Sequence, residues 1–193
     1  MRVIAGTARS LRLETPAGMD TRPTTDRIKE TLFNMIQFDI QGACFLDLFA
    51  GSGGIGIEAL SRGAKEAVFI ENAKEACDCI HANLKHTKLG DKALVCRQDA
   101  FVALTTLEYQ KKFRLVFMDP PYHKELEQRV LEYFTTSSLV DEETTIIFEA
   151  ALDTDLDFIE KLPYDIIKIK QYKTNMHVFV KRRKQDEISN LPR

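Results

Sequence analysis

One short motif in the middle of the chain places an acid and an aromatic ring where an apolar run ends. The run "RLVFM" is followed directly by Asp119, Pro120, Pro121 and Tyr122. Prolines alone would end a strand, so a strand end explains neither the acid nor the ring. An acidic side chain and a proline carbonyl accept hydrogen bonds, and a tyrosine ring offers a flat face to a nucleobase. These residue types predict a site that holds the exocyclic amine of a base.

An exocyclic amine is a weak nucleophile because its lone pair is delocalised into the base. If Asp119 and the Pro120 carbonyl accept hydrogen bonds from its two N–H groups, the nitrogen is held and its lone pair can face a methyl donor. No strong base is needed, since the amine proton becomes acidic only as the methyl arrives, and positioning and electrostatics dominate. Methylation of a cytosine carbon would need a cysteine nucleophile, and none lies near Pro120 in the sequence.

A glycine-rich segment, "CFLDLFAGSGGIGIEAL", predicts a strand, a tight turn and the start of a helix. Gly51, Gly53 and Gly56 match the G-x-G-x-x-G fingerprint of nucleotide-binding turns. Glu71 lies twenty residues beyond Gly51, where such folds place the acid that binds ribose hydroxyls. A turn that only packs a helix on a strand would not need this acid. The two elements together predict a nucleotide-type cofactor.

The choice between NAD and S-adenosylmethionine depends on Asp47, four residues before the first glycine. NAD would place an anionic pyrophosphate against the turn, where a carboxylate repels it. S-adenosylmethionine brings an ammonium and a sulfonium, which a carboxylate attracts. A further acid, Asp99, follows the third apolar run and can face an adenine amino group. The acids therefore favour the methyl donor.

The elements that must position these residues alternate along the chain. Five short apolar runs, "CFLDLF", "EAVFI", "KALVC", "RLVFM" and "TTIIFEA", are separated by segments long enough for helices. Such alternation predicts βαβ units and a parallel sheet. Ligands of open α/β sheets bind at the carboxyl ends of the strands, where the glycine turn and the acid–proline motif are both expected.

Three further elements are predicted at the edges of this α/β core. Residues 72–89 have one apolar side at helical spacing. "YDIIKIKQY" and "NMHVFVK" alternate with period two and are separated only by "KT", so they predict an antiparallel hairpin that closes the sheet. Upstream, "RPTTDRIKETLFNMI" predicts a helix with Thr24 or Thr25 as its N-cap, and residues 1–20 predict a strand or hairpin.

Composition excludes several classes of protein. The chain has 193 residues, 44% hydrophobic and 29% charged, and no apolar run approaches the roughly 20 residues of a membrane span. The N-terminus "MRVIAGTARS" lacks the apolar segment of a secretory signal, so a cytoplasmic location is expected. The four cysteines form no C-x-x-C pair and have no suitably spaced histidines, so reduced thiols and no metal are expected.

Net charge is −2, but the charges are segregated along the chain. Residues 1–13 hold three arginines and no acid, and residues 168–184 hold seven basic residues and no acid. The rest of the sequence contains seventeen basic and 29 acidic residues. Two basic ends on an acidic body predict a localised anionic partner, and the alternative is a pair of solvated basic strands.

The motifs resemble a known family in order and in spacing. "DLFAGSGGIGIEAL", "FIEN", "RQDA" and "MDPPY" are similar to class I S-adenosylmethionine-dependent amino-methyltransferases. "RPTTDRIKETLFN" upstream of "FLDLFAGSG" resembles the RsmD family, which methylates the N2 of a guanine in bacterial small-subunit ribosomal RNA. The resemblance covers nearly the whole chain. It implies a Rossmann-like α/β fold with a mostly parallel seven-stranded sheet, helices on both faces, a C-terminal antiparallel hairpin and a short N-terminal strand or hairpin.

The resemblance implies a role for each matched position. The catalytic residues would be Asp119, Pro120 and Tyr122. The cofactor-binding residues would be Thr24, Asp47, Phe49, Gly51, Gly53, Glu71, Asn72, Asp99 and Ala100, with Asp99 and Ala100 bordering the adenine. The RNA-binding residues would be Arg2, Arg9, Arg12 and Arg22. Lys173 departs from the family, where glycine often follows the tyrosine of the last hairpin, so the geometry of that turn is in question.

The expected organisation is an N-terminal extension over residues 1–39, a methyltransferase domain over residues 40–184, and a tail over residues 185–193. The expected cofactor is S-adenosylmethionine, with S-adenosylhomocysteine as product and no metal. The expected partner is ribosomal RNA or an assembling small ribosomal subunit, with no membrane contact and with the protein as a monomer.

Other functions are weighed against this one. The nearest alternative methylates adenine N6 in nucleic acid or a protein glutamine, and enzymes of both kinds often carry asparagine at the position of Asp119. A NAD dehydrogenase is disfavoured by Asp47, and a non-catalytic RNA-binding scaffold by the intact acids. A solvated or packing role is predicted for the four isolated histidines, His81, His86, His123 and His177. His123 directly follows Tyr122, so it could also touch substrate.

Overall fold

The computed structural model describes residues 1–16 and 25–184 of the chain. The expected site residues Arg22 and Thr24 and the expected tail, residues 185–193, lie outside the described residues. The chain divides into two compact units, Met1–Thr106 and Leu107–Arg193. The expected division into residues 1–39 and 40–184 stays a prediction.

The first unit alternates strands and helices. After two N-terminal helices, three strands are each followed by a helix. Its elements are α1 (Asp26–Met35), α2 (Gln37–Ile40), β1 (Cys44–Leu48), α3 (Gly54–Ser61), β2 (Glu66–Glu71), α4 (Lys74–Thr87), a 3₁₀ turn (Gly90–Lys92), β3 (Ala93–Arg97) and α5 (Ala100–Leu107).

The three strands of this unit are parallel, as the alternating pattern predicts. They are ordered β3-β2-β1, with Asp47 opposite Phe69 and Glu71 opposite Arg97. The last four residues of β1 and the middle four of β2 are buried, which is typical of parallel strands covered on both faces. The register brings the carboxyl ends of β1 and β2 to the same edge of the sheet, and with them Asp47 near the end of β1 and Glu71 at the end of β2.

The second unit contains the remaining strands and completes a mixed sheet of seven strands. Its elements are β4 (Leu115–Met118), α6 (Leu126–Phe134), β5 (Thr145–Ala151), a 3₁₀ turn (Asp157–Lys161), β6 (Tyr164–Gln171) and β7 (Asn175–Arg182). Strands β4 and β5 are parallel, while β7 is antiparallel to both β5 and β6. The expected mostly parallel α/β sheet with a C-terminal antiparallel hairpin is confirmed.

One helix boundary agrees with the sequence pattern and one differs from it. Helix α1 begins after Thr25, whose Oγ1 accepts a hydrogen bond from Ile28 N at 3.3 Å, so Thr25 is its N-cap. Helix α4 ends at Thr87 rather than Leu89, because Lys88 is left-handed (φ 58°) and Leu89 N donates back to Leu84 O at 3.1 Å. The sequence prediction extended the helix to Leu89 because that residue continues the apolar spacing. In the structure Leu89 lies beyond the C-cap, and its backbone N–H bonds back to the last turn of the helix.

The N-terminal residues form a minimal antiparallel pairing. Arg2 bridges to Arg12, and Val3 N donates to Leu11 O at 2.9 Å. Val3 and Leu13 are buried, while Arg2 and Arg12 are exposed. Because cross-strand partners project to the same face, this pairing presents two arginine side chains side by side.

A buried charge cluster attaches this N-terminal segment to α3. The Glu58 carboxylate is fully buried and contacts Lys29 Nζ at 3.4 Å and Arg62 Nε at 2.8 Å. It also accepts hydrogen bonds from Ile4 N at 2.8 Å and Ala5 N at 3.0 Å. Burial lowers the pKa of the Lys29 ammonium, and the Glu58 charge opposes that shift. One carboxylate therefore connects α1, α3 and the first residues of the chain.

Replacing Lys29 should destabilise the protein. Lys29→Met removes a fully buried cation and its hydrogen bond to Arg2 O, while Arg62 keeps its contact with Glu58. We expect the free energy of unfolding to fall by about 3 kcal/mol, the lower end of the cost of breaking a buried ion pair. Urea denaturation of the two proteins measures this difference.

The matched control is Lys74→Met, which removes the exposed ion pair of Lys74 with Asp78 on α4. Exposed pairs contribute little, so the stability of this variant should stay close to that of the parent protein. If Lys74→Met lost as much stability as Lys29→Met, burial of the Lys29–Glu58 ion pair would not explain the effect of the Lys29 substitution.

Candidate active site

The glycine turn lies between β1 and α3 in the first unit. Three of its residues have left-handed backbone, with φ of 65° at Phe49, 54° at Gly51 and 76° at Gly53. A Cβ on Gly51 would point into open space, whereas a Cβ on Gly53 would lie 3.1 Å from Ile80 Cγ1. Gly53 is therefore favoured by its left-handed backbone, and a side chain there would also crowd Ile80. Gly51 leaves the backbone of the turn open to a ligand.

The buried side chain of Asp47 hydrogen-bonds to the backbone at the start of α3, directly after this turn. Its side chain is 2% exposed, and its Oδ2 accepts a hydrogen bond from Gly56 N at 2.8 Å. Burial raises the pKa of Asp47 to about 7; the Gly56 hydrogen bond opposes the rise, and the charge of Glu71 adds to it. The sequence predicts Asp47 as a charge that attracts a cation, and the structure shows in addition that it anchors the first turn of α3.

Glu71 ends β2 and holds the other side of the turn. Its Oε2 accepts a hydrogen bond from Gly51 N at 2.9 Å. Its Oε1 accepts hydrogen bonds from Asn72 N and Ala73 N, each at 2.9 Å. Glu71 is partly exposed, and its carboxylate fixes the backbone of both the glycine turn and the segment after β2. Asn72, an expected cofactor contact, is exposed beside it.

Asp99 and Ala100 lie at the start of α5, after β3. The Asp99 side chain is exposed, and its Oδ1 accepts hydrogen bonds from Phe101 N at 2.9 Å and Val102 N at 3.3 Å. This is the geometry of a helix N-cap, which the sequence signals because aspartate precedes a helical run. Ala100 is buried. The expected contact of Asp99 with an adenine stays a prediction.

The residues of the first unit fit the expected cofactor. Glu71 is a hydrogen-bond acceptor suited to a ribose diol, Asp99 to an exocyclic amine, and Asp47 to a cation when it is ionised. The open face of Gly51 lets the methionine portion approach the backbone. The donor set therefore fits S-adenosylmethionine, whereas an anionic pyrophosphate would face Asp47 and Glu71.

The acid–proline motif follows β4 in the second unit. Asp119 is partly exposed, Pro120 is buried, and the Tyr122 side chain is 39% exposed. His123 and Glu125, just after the motif, both have left-handed backbone, with φ of 58° and 53°. Such conformations cost energy in residues other than glycine. The chain therefore makes a sharp turn that leaves the Tyr122 ring at the surface.

The hydroxyl of Tyr122 leads into a buried network. Tyr122 donates to Glu149 Oε1 at 2.6 Å, and His177 Nε2 lies 3.2 Å from Glu149 Oε2. Tyr172 Oη lies 3.3 Å from His177 Nδ1, and the Asn175 side chain hydrogen-bonds to Glu149. The network connects the motif to β5 and β7, which pair Glu149 with His177 in register.

This network has clear electrostatic consequences. Burial by itself raises the pKa of Glu149, but hydrogen bonds from His177, Tyr122 and Asn175 outweigh it and lower that pKa. Burial and the Glu149 carboxylate both raise the pKa of the Tyr122 phenol, so it stays protonated and donates. An ionised Glu149 and a neutral Tyr122 are therefore the stable pair.

Sequence reasoning missed Glu149 and Asn175, and it treated His177 as an ordinary solvated or packing residue. His177 is fully buried, with Phe117 edge-on at 5.7 Å between ring centroids, so packing is part of its role. A signal was present: Glu149 and His177 are single polar residues in otherwise apolar runs, "IIFEA" and "MHVFV". The other three histidines, His81, His86 and His123, are exposed.

The basic residues expected to contact RNA differ in what surrounds them. Arg9 and Arg12 are exposed. Arg2 is also exposed, but its Nε lies 2.9 Å from Asp26 Oδ2. In the C-terminal basic stretch, Arg183 pairs with Asp165 at 2.8 Å, so part of that charge stabilises the β6–β7 hairpin.

Two further features concern metals and membranes. Within residues 1–16 and 25–184, no group of three or more histidine, cysteine, aspartate or glutamate side chains is placed to hold a metal ion. Among the helices of that same part of the chain, none has both the length and the apolar character needed to span a membrane. All four cysteines are free thiols.

Comparisons with known proteins agree in sequence and in structure. A family model described as "Conserved hypothetical protein 95" matches residues 1–181. A candidate rRNA methyltransferase of Bacillus subtilis is 40% identical over 157 residues, covering 81% of this chain and 85% of the relative. The ribosomal RNA small subunit methyltransferase D of Haemophilus influenzae is 36% identical over 157 residues, covering 81% of each chain. A solved structure of a candidate methyltransferase from Escherichia coli matches with a TM-score of 0.82 and 30% identity, covering 96% of this chain and 99% of that one.

The family match over residues 1–181 includes the glycine turn, the acid–proline motif and nearly all of the hairpin, so it spans both units. The structural match confirms the expected Rossmann-like class I methyltransferase fold. The family model and the two curated relatives confirm the resemblance found in the motifs. The chain belongs to the RsmD family, the family described as Conserved hypothetical protein 95.

Proposed function

We propose that this protein transfers a methyl group from S-adenosylmethionine to the exocyclic N2 amine of a guanine in small-subunit ribosomal RNA. The observation that carries the proposal is the Asp119-Pro120-Pro121-Tyr122 turn after β4, with its partly exposed acid and exposed ring. Relatives that share most of the chain are named for methylation of small-subunit ribosomal RNA. These relatives support methylation of ribosomal RNA, and the acid and ring of the turn support an exocyclic base amine as the acceptor.

The second unit supplies the groups that hold the amine. Asp119 and the Pro120 carbonyl accept hydrogen bonds from the two N–H groups, which orients the nitrogen lone pair. The Tyr122 ring stacks on a base that has left its helix. The proton lost by the amine passes to solvent or to Asp119. Because the nitrogen is held before reaction, the rate gain comes from orientation and from carboxylate stabilisation of the developing positive charge.

The first unit supplies the groups that hold the cofactor. When bound, S-adenosylmethionine provides an electrophilic methyl on a sulfonium. Glu71 binds the ribose hydroxyls, Asp99 and Ala100 border the adenine, and the Gly51 turn takes the methionine portion. Asp47, beneath the turn, attracts its ammonium when the carboxyl is ionised.

The nearest alternative is the N6 amine of adenine, because it also has two N–H groups and stacks equally well. A direct experiment separates these targets. Small-subunit ribosomal RNA and assembling subunits from cells lacking the protein are incubated with the protein and labelled S-adenosylmethionine, and the modified nucleoside is identified. N2-methylguanosine at one position supports the proposal. Labelled N6-methyladenosine, or label on protein alone, would overturn it.

Replacing Asp119 should separate chemistry from cofactor binding. Asp119→Ala removes an acceptor for the amine, so we expect kcat to fall roughly 100-fold or more, as for loss of one preorganised hydrogen-bonding group in an active site. Affinity for S-adenosylhomocysteine should change little, since the first unit holds it. Methyl transfer and calorimetric titration measure the two effects.

Two companion variants sharpen this test. Asp119→Asn keeps a carbonyl acceptor and should retain more activity than Asp119→Ala. Asp153→Ala, at an exposed acid in the second unit, should behave like the parent protein. Transfer by Asp119→Ala at a rate near that of the parent would rule out the amine-holding role.

Cofactor affinity should depend on pH through Asp47. The pKa of this buried carboxyl is raised to about 7, so it is neutral below that pH and ionised above it. An ammonium is attracted only by the ionised form, so affinity for S-adenosylhomocysteine should rise about tenfold from pH 6 to pH 8. Asp47→Asn removes this charge and should abolish the dependence. Calorimetric titration at several pH values measures it, and equal pH profiles for both proteins would exclude a charge role for Asp47.

The N-terminal arginines should contribute phosphate contacts. Arg9→Ala with Arg12→Ala removes two exposed charges and leaves the Arg2–Asp26 ion pair intact. RNA affinity should fall, and its logarithmic salt dependence should flatten by about 0.7 to 0.9 per lost contact. Affinity for S-adenosylhomocysteine should not change.

The matched control removes two exposed lysines of the first unit outside the basic ends, Lys85 and Lys92. The control variant, Lys85→Ala with Lys92→Ala, should keep the salt slope of the parent protein. If both double variants lowered the slope equally, net charge rather than the N-terminal segment would govern RNA binding.

A further inference from the structure

The hydroxyl of Tyr122 is tied to a carboxylate that the mechanism does not use. Glu149 is 7% exposed and lies in β5, all seven residues of which are buried. A carboxylate in such a strand loses hydration, and a buried ion pair of this kind is often no more stable than an apolar replacement. Stability alone therefore does not account for an acid at this position.

The partners of Glu149 come from separate parts of the second unit. Tyr122 reaches it from the turn after β4 at 2.6 Å, and His177 reaches it from β7 at 3.2 Å. Tyr172, in the loop before β7, lies against His177 at 3.3 Å. Among the described hydrogen-bond partners of Glu149, Tyr122 is the one that belongs to the acid–proline motif.

Asn175 contributes a buried polar atom that the network leaves unpaired among the described residues. Its side chain lies close enough to lower the pKa values of both Glu149 and Tyr122. Glu149 is an acceptor, so the amide NH₂ must face it, and the orientation of the amide is fixed. Its Oδ1 is then buried with no hydrogen-bond partner among the residues that the structure describes. An unpaired buried acceptor is destabilising, and it is retained where the groups around it serve another purpose.

We propose that Glu149 is a positioning residue for methyl transfer: supported by His177 and Asn175, it holds the Tyr122 hydroxyl and so fixes the ring on which the target base stacks. The inference rests on the proposed function and adds residues to it. The Tyr122 ring is partly exposed and would otherwise sample several rotamers. A ring held at its hydroxyl presents one face to the base before the base arrives, which reduces the entropy lost on stacking.

The test is a double-mutant cycle on Tyr122→Phe and Glu149→Gln in the full chain. Tyr122→Phe keeps the ring and removes the tether; Glu149→Gln replaces a charge-assisted hydrogen bond by a weaker neutral one. We expect each variant to lower kcat about tenfold, the effect of losing a hydrogen bond to a charged group. The KM for RNA should change less than about twofold, because phosphate contacts dominate RNA affinity. The double variant should be no slower than the slower single variant.

Several measurements separate positioning from a merely structural role. Affinity for S-adenosylhomocysteine and thermal stability are measured for each variant. The matched control is Tyr133→Phe, which removes a second tyrosine–glutamate hydrogen bond, Tyr133 to Glu108 at 2.8 Å. This control should lose stability and keep kcat. Additive losses in the double variant, or an unchanged kcat in either single variant, would overturn the inference.

A spectroscopic readout keeps this inference distinct from the proposed function. The chain has five tyrosines, so the ring ¹³Cζ signal of Tyr122 is assigned from its absence in Tyr122→Phe. This signal should shift in Glu149→Gln and should not shift in Tyr133→Phe. If the parent protein methylated no ribosomal RNA, the proposed function would fail whatever the signal showed. If methylation proceeded and the signal did not move in Glu149→Gln, the tether alone would be wrong.

Discussion

Two carboxylates at the ends of neighbouring parallel strands hold the turn on which the first unit depends. A chain that leaves a strand and enters a helix through three left-handed residues exposes backbone N–H groups without partners. Asp47 accepts from Gly56, and Glu71 accepts from Gly51. Both acids lie at the same edge because β1 and β2 are parallel and in register. The groups that shape the turn are thus also those that the proposed cofactor would meet, so binding and local folding share the same atoms.

The buried cluster around Glu58 fixes the N-terminal segment to the rest of the first unit. This segment is short and has too little apolar surface to fold alone. Glu58 takes the backbone N–H groups of Ile4 and Ala5, and its charge is balanced by Lys29 and Arg62. The cost of burying these ions is offset in part by the hydrogen bonds that the Glu58 carboxylate accepts from Ile4 N, Ala5 N and Arg62 Nε. The arginines of the segment are therefore presented on a fixed scaffold rather than on a loose arm.

In the second unit, residues of two later strands, β5 and β7, hold the acid–proline motif that follows β4 through hydrogen bonds. The prolines stiffen the backbone, but the phenol of Tyr122 is held by Glu149 of β5, which is in turn held by His177 of β7. The C-terminal hairpin therefore has a role beyond closing the sheet, because its antiparallel pairing places His177 directly beside Glu149. Charge, hydrogen bonding and register all act on one ring.

The sequence by itself determined the elements and the residues at their ends. Apolar runs of strand length predicted the five parallel-type strands, and period-two alternation predicted the hairpin. The positions of Asp47, Glu71 and Asp119, near or just after the ends of such runs, predicted the candidate site. These features are local, so they are readable from spacing. The structure showed that Thr25, one of the two threonines predicted as caps, caps α1 and that Lys88 ends α4, and only the tertiary structure decided that Asp47 is buried with a raised pKa. It also brought Glu58 to Lys29 and Glu149 to His177, pairs that lie 29 and 28 residues apart in sequence. No local pattern specifies such contacts, because they arise only when strands pair and helices pack.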